Sequence, residues 1–223
     1  DAKRPFALFL SHHPPHPPYQ APQQLIEKYK MRLDGRYDDT VAIIYAMIEQ
    51  MDTGLQWVLD ALHETGQLEN TIIVMSGDNG MPFPRAKATL YDTGTRVPLV
   101  IRWGKQVKAE RKVSDFVSLC DLAPTFIEAA GLAVPKAMTG RSLITQLKSK
   151  QSGQIDADRD HVLTGMSRHC FPYPRQALRT ERFLYVRNKN PENWMTGRRK
   201  GPPQTFDFSK RHWPKGAEAF CFN

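Results

Sequence analysis

Long apolar segments and low-complexity repeats are missing from this sequence of 223 residues, and cysteine is sparse. No apolar run approaches the roughly 18–20 residues that cross a bilayer, which excludes a membrane span. The sequence does not open on a signal peptide, so an exported protein would need a leader outside this chain. Three cysteines without metal-like spacing argue against a disulfide scaffold and leave one bridge open. With 40% hydrophobic residues, a folded globular protein is expected.

The charge balance is basic. Thirty-one lysines and arginines face twenty-three acidic residues, which gives a formal charge of +8 and a pI near 9.5. This excess suits a polyanionic partner, either nucleic acid or a sulfated or phosphorylated substrate, and it is equally compatible with general solubility. The basic residues are spread out and are not interleaved with aromatic residues in the way that stacks bases. Nucleic-acid binding is therefore not predicted.

Short apolar segments predict the strands of a sheet. Residues 6–11 form a continuous apolar run, which predicts a buried strand, and four prolines follow in the loop at 12–19. Residues 71–76 are rich in β-branched side chains and predict a central parallel strand. A further strand is predicted at 97–103, and shorter ones at 161–164 and 183–186.

Two helices are predicted from periodicity and end signals. Apolar residues recur every three or four positions over residues 40–63, which is typical of a long amphipathic helix, and Gly66 supplies its stop. Residues 118–130 predict a second helix with Asp121 as a candidate cap. Residues 146–159 are polar and predict a surface connection.

These elements predict an α/β fold, with a mixed, largely parallel sheet flanked by helices and a smaller C-terminal α+β subdomain. We expect a catalytic α/β domain at residues 1–145 and the smaller subdomain at 146–223. The tail at 188–223 is rich in Pro, Gly and basic residues, has no periodicity, and suggests truncation.

Asp78 and Asn79 follow a predicted buried strand, and ligand sites form beyond the carboxyl ends of strands in open α/β sheets. A carboxylate and an amide oxygen side by side are hard ligands suited to Ca²⁺ or Mg²⁺. The same Asp-Asn-Gly sequence is also common turn chemistry, so an ordinary turn is an alternative.

Two further residues are candidates for the chemistry. His16 lies in the proline-braced loop, from which an imidazole can be aimed for proton transfer or anion contact. Lys87 follows the Asp-Asn-Gly loop and could neutralise an anionic group. Seen alone, these residues are equally compatible with a solvent-exposed histidine loop and a surface lysine.

In combination the segments resemble the sulfatase family of the alkaline-phosphatase superfamily. The resemblance runs from residue 5 to about 145: a histidine loop after a strand, a long helix, a strand ending in Asp-Asn-Gly, and then Lys-x-x-x-Tyr-Asp-x-Gly-x-Arg-x-Pro. Further matching stretches are residues 46–52, 70–74, 121–125 and 139–143. Residues 78–84, followed by Leu90 and Tyr91, look most like the heparan N-sulfatase (sulfamidase) branch. Tyr173-Pro174 and residues 178–188 fit that branch more loosely.

The resemblance implies hydrolysis of sulfate esters or sulfamates, on a sulfated carbohydrate, by a formylglycine nucleophile and a Ca²⁺ ion, Ca²⁺ being preferred to Mg²⁺. It implies that Asp78 and Asn79 are metal ligands, and that Lys87 and His16 contact the sulfate and assist the leaving group. Arg168, His169, Tyr173 and Arg175 are candidates for the saccharide pocket, since basic groups suit a sulfated sugar, and an ordinary loop is the alternative. Members of this family act in lysosomes, the periplasm or outside cells, which implies an exported enzyme.

One part of the family pattern is missing. The chain has no Cys-x-Pro-x-Arg or Ser-x-Pro-x-Arg sequence, so it does not hold the nucleophile, and Ca²⁺ needs about 6–8 oxygens. We therefore expect the C-terminal part of a sulfatase that is completed by an N-terminal segment or a complementing chain. A phosphodiesterase or phosphonate hydrolase of the same superfamily, or a non-catalytic polyanion-binding fragment, is the alternative.

Overall fold

The computed structural model describes residues 4–83, 85–169 and 172–189, and of Pro172 and Tyr173 it describes the backbone alone. Within these residues the chain divides into two units, 4–66 and 67–189. The domain boundary expected after residue 145 stays a prediction.

The first unit contains two helices, α1 (Gln23–Leu33) and α2 (Asp39–Glu64). Helix α2 confirms the amphipathic helix predicted at 40–63. It begins where the Asp38 carboxylate accepts a hydrogen bond from the Thr40 amide at 2.8 Å, and Gly66 follows its end with a φ of +70°. The sequence pattern did not reveal α1, whose preceding residue is Pro22 and which contains no buried residue.

Helices α1 and α2 pack through an aromatic and ionic contact. The rings of Tyr29 and Tyr45 stack with their centroids 5.5 Å apart, and the Lys28 ammonium donates to both Glu49 oxygens at 2.6 Å. The fully buried positions of α2 are Ala42, Ile44, Ala46 and Met47. The apolar stripe that predicted α2 is thus most deeply buried in the first half of the helix.

The buried strand predicted at residues 6–11 is wrong. The segment has no regular secondary structure, its side chains are exposed, and Phe9 is 90% exposed. An apolar run becomes a strand only when neighbouring strands take up its backbone hydrogen bonds. No strand among the described residues pairs with this segment.

The second unit begins with a two-stranded sheet of β1 (Ile73–Ser76) and β2 (Leu99–Arg102), separated in the chain by the short helix α3 (Asp92–Thr95). Both strands were predicted. They pair antiparallel, with Ser76 opposite Leu99, so the parallel neighbour expected for β1 is not among the described strands. The antiparallel pairing places the end of β1 beside the start of β2.

Two helices follow β2: α4 (Leu122–Ala129) and α5 (Ile144–Lys148). A short 3₁₀ turn, Leu119–Asp121, leads into α4 and confirms a helical segment within 118–130. The capping residue is Ser118 and not the predicted Asp121, which instead closes the capping box from the third position. Leu143, Ile144 and Leu147 form a buried apolar cluster against which partly buried residues of β2 and α4 pack.

The surface connection predicted at residues 146–159 is confirmed for residues 148–158, which are exposed or half-buried, but its two ends are buried. Gln146 is 4% exposed and Arg159 is 2% exposed. Each donates to a partner far away in the sequence: Gln146 Nε2 donates to Asp115 at 2.9 Å, and Arg159 Nη1 donates to Asp121 at 2.8 Å. Polar side chains are buried when they are paired in this way.

The last described part is a three-stranded antiparallel sheet of β3 (His161–Arg168), β4 (Pro172–Thr180) and β5 (Leu184–Asn188), with β4 in the centre. Strands β3 and β5 confirm the predictions at 161–164 and 183–186. Strand β4 was missed because prolines stand at its first and third positions, where they argue against a strand. The remainder of the predicted irregular tail, from residue 190, lies outside the described residues.

Candidate functional site

Asp78 and Asn79 lie in the loop that leaves the carboxyl end of β1, as predicted. The Asp78 side chain is exposed and Asn79 is half-buried. Two backbone hydrogen bonds hold this loop (residues 77–80), which we call the metal loop after its predicted ligands: Gly77 donates to the Pro98 carbonyl at 3.3 Å and Gly80 to the Gly94 carbonyl at 3.0 Å. A Cβ atom at Gly80 would lie 1.9 Å from the Thr93 carbonyl oxygen, so the loop packs directly on α3.

Lys87 lies in a cross-bonded lysine loop (residues 85–91) that follows the metal loop. Its amide donates to the Met81 carbonyl at 2.9 Å, and the Ala86 amide donates to the Phe83 carbonyl at 3.1 Å. Ala86 and Leu90 are buried, whereas Lys87 is half-buried. Ala88 has a φ of +64°, a conformation that alanine adopts only when its surroundings impose it. The structure therefore fixes the backbone on both sides of Lys87.

The metal loop carries both predicted cation ligands, Asp78 and Asn79, and their role stays a prediction. Asp78 offers an exposed carboxylate, and none of the described residues forms a hydrogen bond or an ion pair with it. No group of three or more His, Cys, Asp or Glu side chains that could hold a metal occurs in the described part of the chain. The hard oxygens of Asp78 and Asn79 thus fit Ca²⁺ as two of its roughly 6–8 ligands.

A two-point ion pair joins α3 to β4. Arg179 Nε donates to one oxygen of Asp92 at 2.9 Å, and its Nη2 donates to the other at 3.0 Å. The hydrogen bonds and charge of Arg179 lower the pKa of the Asp92 carboxyl below its ordinary value, although partial burial opposes the shift. The sequence pattern does not reveal this pair, because its partners are 87 residues apart.

The pKa of Asp92 predicts how the pair responds to pH. A carboxyl whose pKa is lower in the folded state stabilises the fold above pH about 4, and this contribution is lost as pH falls through the folded pKa. We expect Asp92→Asn to unfold at lower urea concentration than the wild type at about pH 6, and the gap to narrow as the pH falls below about 4. Asp52→Asn, at an exposed position of α2, is the matched control. A gap that does not depend on pH would contradict the assignment.

Gly94 allows α3 to approach the lysine loop. A Cβ atom at this position would lie 2.4 Å from the Ala86 carbonyl oxygen and 2.6 Å from that of Thr89, and both are backbone atoms. We expect Gly94→Ala to lower the free energy of unfolding by about 1–3 kcal/mol, measured by urea denaturation, because the loop must shift. Gly54→Ala in α2, where nothing lies within 4 Å of the new Cβ, should leave stability unchanged or raise it. Equal midpoints for the two variants would argue against the close approach.

His16 lies in the proline loop of the first unit and is exposed. Its Nδ1 is 2.7 Å from the Pro17 carbonyl oxygen, and its ring meets that of His13 edge to face at 5.2 Å. Because a carbonyl oxygen can only accept, Nδ1 carries the proton, and Nε2 is the nitrogen left for proton exchange. Lys87 and the metal loop belong to the second unit.

Of the four saccharide candidates, Arg168, His169 and Arg175 have described side chains and lie where β3 ends and β4 begins, and these three residues are called the hairpin tip. Of the fourth candidate, Tyr173, the backbone alone is described. The register places Arg168 opposite Pro172 and Met166 opposite Arg175, with a bulge between the two pairs. Arg168 and His169 are exposed and Arg175 is half-buried. The structure therefore brings these positions together, and their role stays a prediction.

Two other expectations concern cysteine and membrane insertion. Cys120 is a free, exposed thiol, and Cys170 and Cys221 lie outside the described residues. Within the described ranges, no helix is both long and apolar enough to span a membrane.

Two protein-family models match the chain. The model described as sulfatase matches residues 1–132, and the model described as N-sulphoglucosamine sulphohydrolase, C-terminal, matches residues 85–203. The chain belongs to the sulfatase family. This confirms the resemblance found in the sequence, including its inclination towards the sulfamidase branch.

Individual proteins agree with the family models. An ulvan-active sulfatase from Formosa agariphila is 34% identical over 78% of this chain and 29% of its own length. N-sulphoglucosamine sulphohydrolase from Homo sapiens is 30% identical over 67% of this chain and 31% of its own length. The chain thus spans less than a third of either relative.

A solved structure gives the fold. The complex of a protein with its substrate D-glucosamine-2-N,6-O-disulfate matches with a TM-score of 0.58 and 27% identity, over 74% of this chain and 36% of that one. The match confirms the predicted α/β, alkaline-phosphatase-like fold class.

Proposed function

We propose that the protein to which this chain belongs hydrolyses a sulfate ester or sulfamate on a sulfated carbohydrate. The observation that carries the proposal is the close packing of the metal loop, the lysine loop and α3, which places a hard-oxygen pair and a lysine in one rigid assembly. A sulfate that is being transferred keeps negative charge on its oxygens, and fixed cations stabilise that charge without reorganisation.

Each predicted residue has a defined task in this reaction. Lys87 binds the sulfate oxygens through its ammonium group and holds them in place while charge develops. His16 transfers a proton through Nε2 to the leaving oxygen or nitrogen, while Nδ1 stays bonded to the Pro17 carbonyl. The exposed groups of the hairpin tip orient the saccharide.

The remaining chemistry comes from two groups that this family generally uses, a Ca²⁺ ion and a formylglycine. This chain supplies only some of the proposed Ca²⁺ ligands and does not supply the formylglycine. Asp78 and Asn79 would hold Ca²⁺, which withdraws charge from the sulfate oxygens when bound. The attacking oxygen would come from a formylglycine. We propose that an N-terminal segment or a complementing chain supplies it together with the other metal ligands, and that the enzyme is exported like other members of the family.

The proposal is tested on the complete protein with two kinds of substrate. Sulfate release is measured from N-sulfated glucosamine, 6-O-sulfated glucosamine and an aryl sulfate. Release of the phosphonic acid is measured from a phosphonate monoester. Sulfate release, with an intact mass that shows cysteine converted to formylglycine, is expected. Turnover of the phosphonate alone would establish the phosphonate hydrolase instead. Saccharide binding with no turnover of any substrate would establish a binding fragment.

If the hairpin tip binds the sugar, substitutions there should change KM for a saccharide substrate but not for an aryl sulfate. Arg168→Gln and His169→Gln are each expected to raise KM for sulfated glucosamine about tenfold, because a charge-assisted contact to the sugar is lost. KM for an aryl sulfate, which has no sugar to contact, should change little. Arg182→Gln, at the exposed turn beyond the opposite end of β4, is the control. Equal effects on both substrates would contradict the assignment.

A further inference from the structure

The Asp92–Arg179 ion pair lies between two parts of the proposed site. Its side chains are 42% and 24% exposed, and the two guanidinium nitrogens meet the two carboxylate oxygens one to one. A fork-to-fork contact of this kind fixes orientation as well as distance. It therefore restricts how α3 can move against β4.

On one side of the pair, β4 is a rigid connection to the hairpin tip. It is the central strand of its sheet and is hydrogen-bonded to both β3 and β5. Arg175 and Arg179 stand four residues apart on it, which is about 13 Å at the rise of an extended strand. The position of Arg179 is thus tied to that of the hairpin tip.

On the other side, α3 contacts the lysine loop before and after Lys87. Gly94 leaves no room for a Cβ atom against the carbonyls of Ala86 and Thr89, and the Thr93 hydroxyl donates to the Arg85 carbonyl. The Thr89 hydroxyl donates in turn to the Ala86 carbonyl at 2.7 Å. A shift of α3 would therefore shift the backbone that carries Lys87.

We propose that Asp92 and Arg179 are positioning residues that set the Lys87 ammonium at a fixed distance from the saccharide-binding hairpin tip. The inference rests on the proposed function and deepens it. A substrate held by both the hairpin tip and Lys87 depends on the pair, whereas a small aryl sulfate held by Lys87 alone does not. The pair thus favours saccharides over small sulfate esters.

The kinetic test uses the complete enzyme with Arg179→Gln, Asp92→Asn and the double variant. Each single variant is expected to lower kcat/KM for sulfated glucosamine about ten- to a hundredfold, since small misplacements of a reacting group have effects of this size. The aryl sulfate should change by less than about threefold. The double variant should be no worse than either single variant, because both remove the same contact.

Two comparisons separate positioning from a structural role. Arg187→Gln removes an exposed arginine from the same sheet and should leave both substrates unaffected. Arg179→Lys keeps the positive charge but cannot make the two parallel hydrogen bonds to Asp92. Its activity on the saccharide should therefore lie between those of Arg179→Gln and the wild type. Equal losses on the two substrates, or a double variant whose loss is the product of the single ones, would overturn the proposal.

Hydrogen exchange tests the same proposal without turnover. The amide of Lys87, bonded to Met81, and that of Gly94, bonded to Tyr91, should exchange at least about tenfold faster in Arg179→Gln, while amides of the β3–β5 ladder keep their wild-type rates. An unchanged Lys87 amide would overturn the proposal. If the wild type hydrolyses neither substrate, the proposed function fails, and hydrogen exchange alone decides on the positioning role.

Discussion

Replacing Lys87 by methionine is expected to lower kcat/KM for a sulfated glucosamine by about 100- to 1,000-fold, the usual loss when one preorganised group that stabilises developing charge is removed. Methionine retains most of the length of the side chain and removes its charge. The backbone of Lys87 is held by the Met81 carbonyl, so the substitution should leave the loop in place. Initial rates measured on the complete enzyme at several substrate concentrations give the value.

The control for this prediction is Lys105→Met, which removes a lysine from an exposed 3₁₀ turn and should leave kcat/KM unchanged. Lys87→Arg keeps the charge with a different shape and should fall between methionine and the wild type. The assignment of Lys87 would be abandoned if Lys87→Met retained activity within about threefold of the wild type.

Replacing Arg159 by methionine is expected to lower the free energy of unfolding by about 3–5 kcal/mol. The guanidinium is fully buried, donates to Asp121 at 2.8 Å, and bonds the carbonyls of Arg141 and Ser142 at 2.8 and 3.0 Å. Methionine fills much of the space, but it leaves a buried carboxylate without its cation and two carbonyls without a donor. Urea denaturation followed by circular dichroism measures the loss.

A matched control isolates burial from the loss of positive charge. Lys150→Met removes an exposed cation from the same segment and should change stability by less than about 0.5 kcal/mol. Asp121→Asn should also lower stability, because one amide oxygen can replace only one of the two carboxylate oxygens that accept from Arg141 and from Ser118 and Arg159. Similar unfolding midpoints for Arg159→Met and Lys150→Met would refute the structural role.

The candidate site could be predicted from sequence where the signal is local. Helix α2 has a periodic apolar stripe, and Asp78, Asn79 and Lys87 stand in a short motif around one strand end. What the sequence did not contain is the link from Asp92 to Arg179, since a pairing between positions so far apart leaves no trace in a single sequence. The structure adds this link and with it the connection between the lysine loop and the hairpin tip.

The errors have the same origin. Residues 146–159 are polar and were expected on the surface, yet Arg159 is buried because Asp121, 38 residues earlier, compensates its charge. Residues 6–11 are apolar and were expected inside, yet no described strand pairs with them. In both cases composition indicates which side chains prefer water, whereas burial depends on partners that folding brings together.

The carboxylate of Asp121 accepts hydrogen bonds from Ser118, Arg141 and Arg159, so a single side chain joins three separate stretches of the chain. This junction constrains how the sequence can diverge. Loss of either Asp121 or Arg159 alone leaves a buried charge, whereas replacement of both by apolar residues of similar volume can preserve the fold. Positions 121 and 159 should therefore covary among homologous sequences, with both residues kept or both replaced.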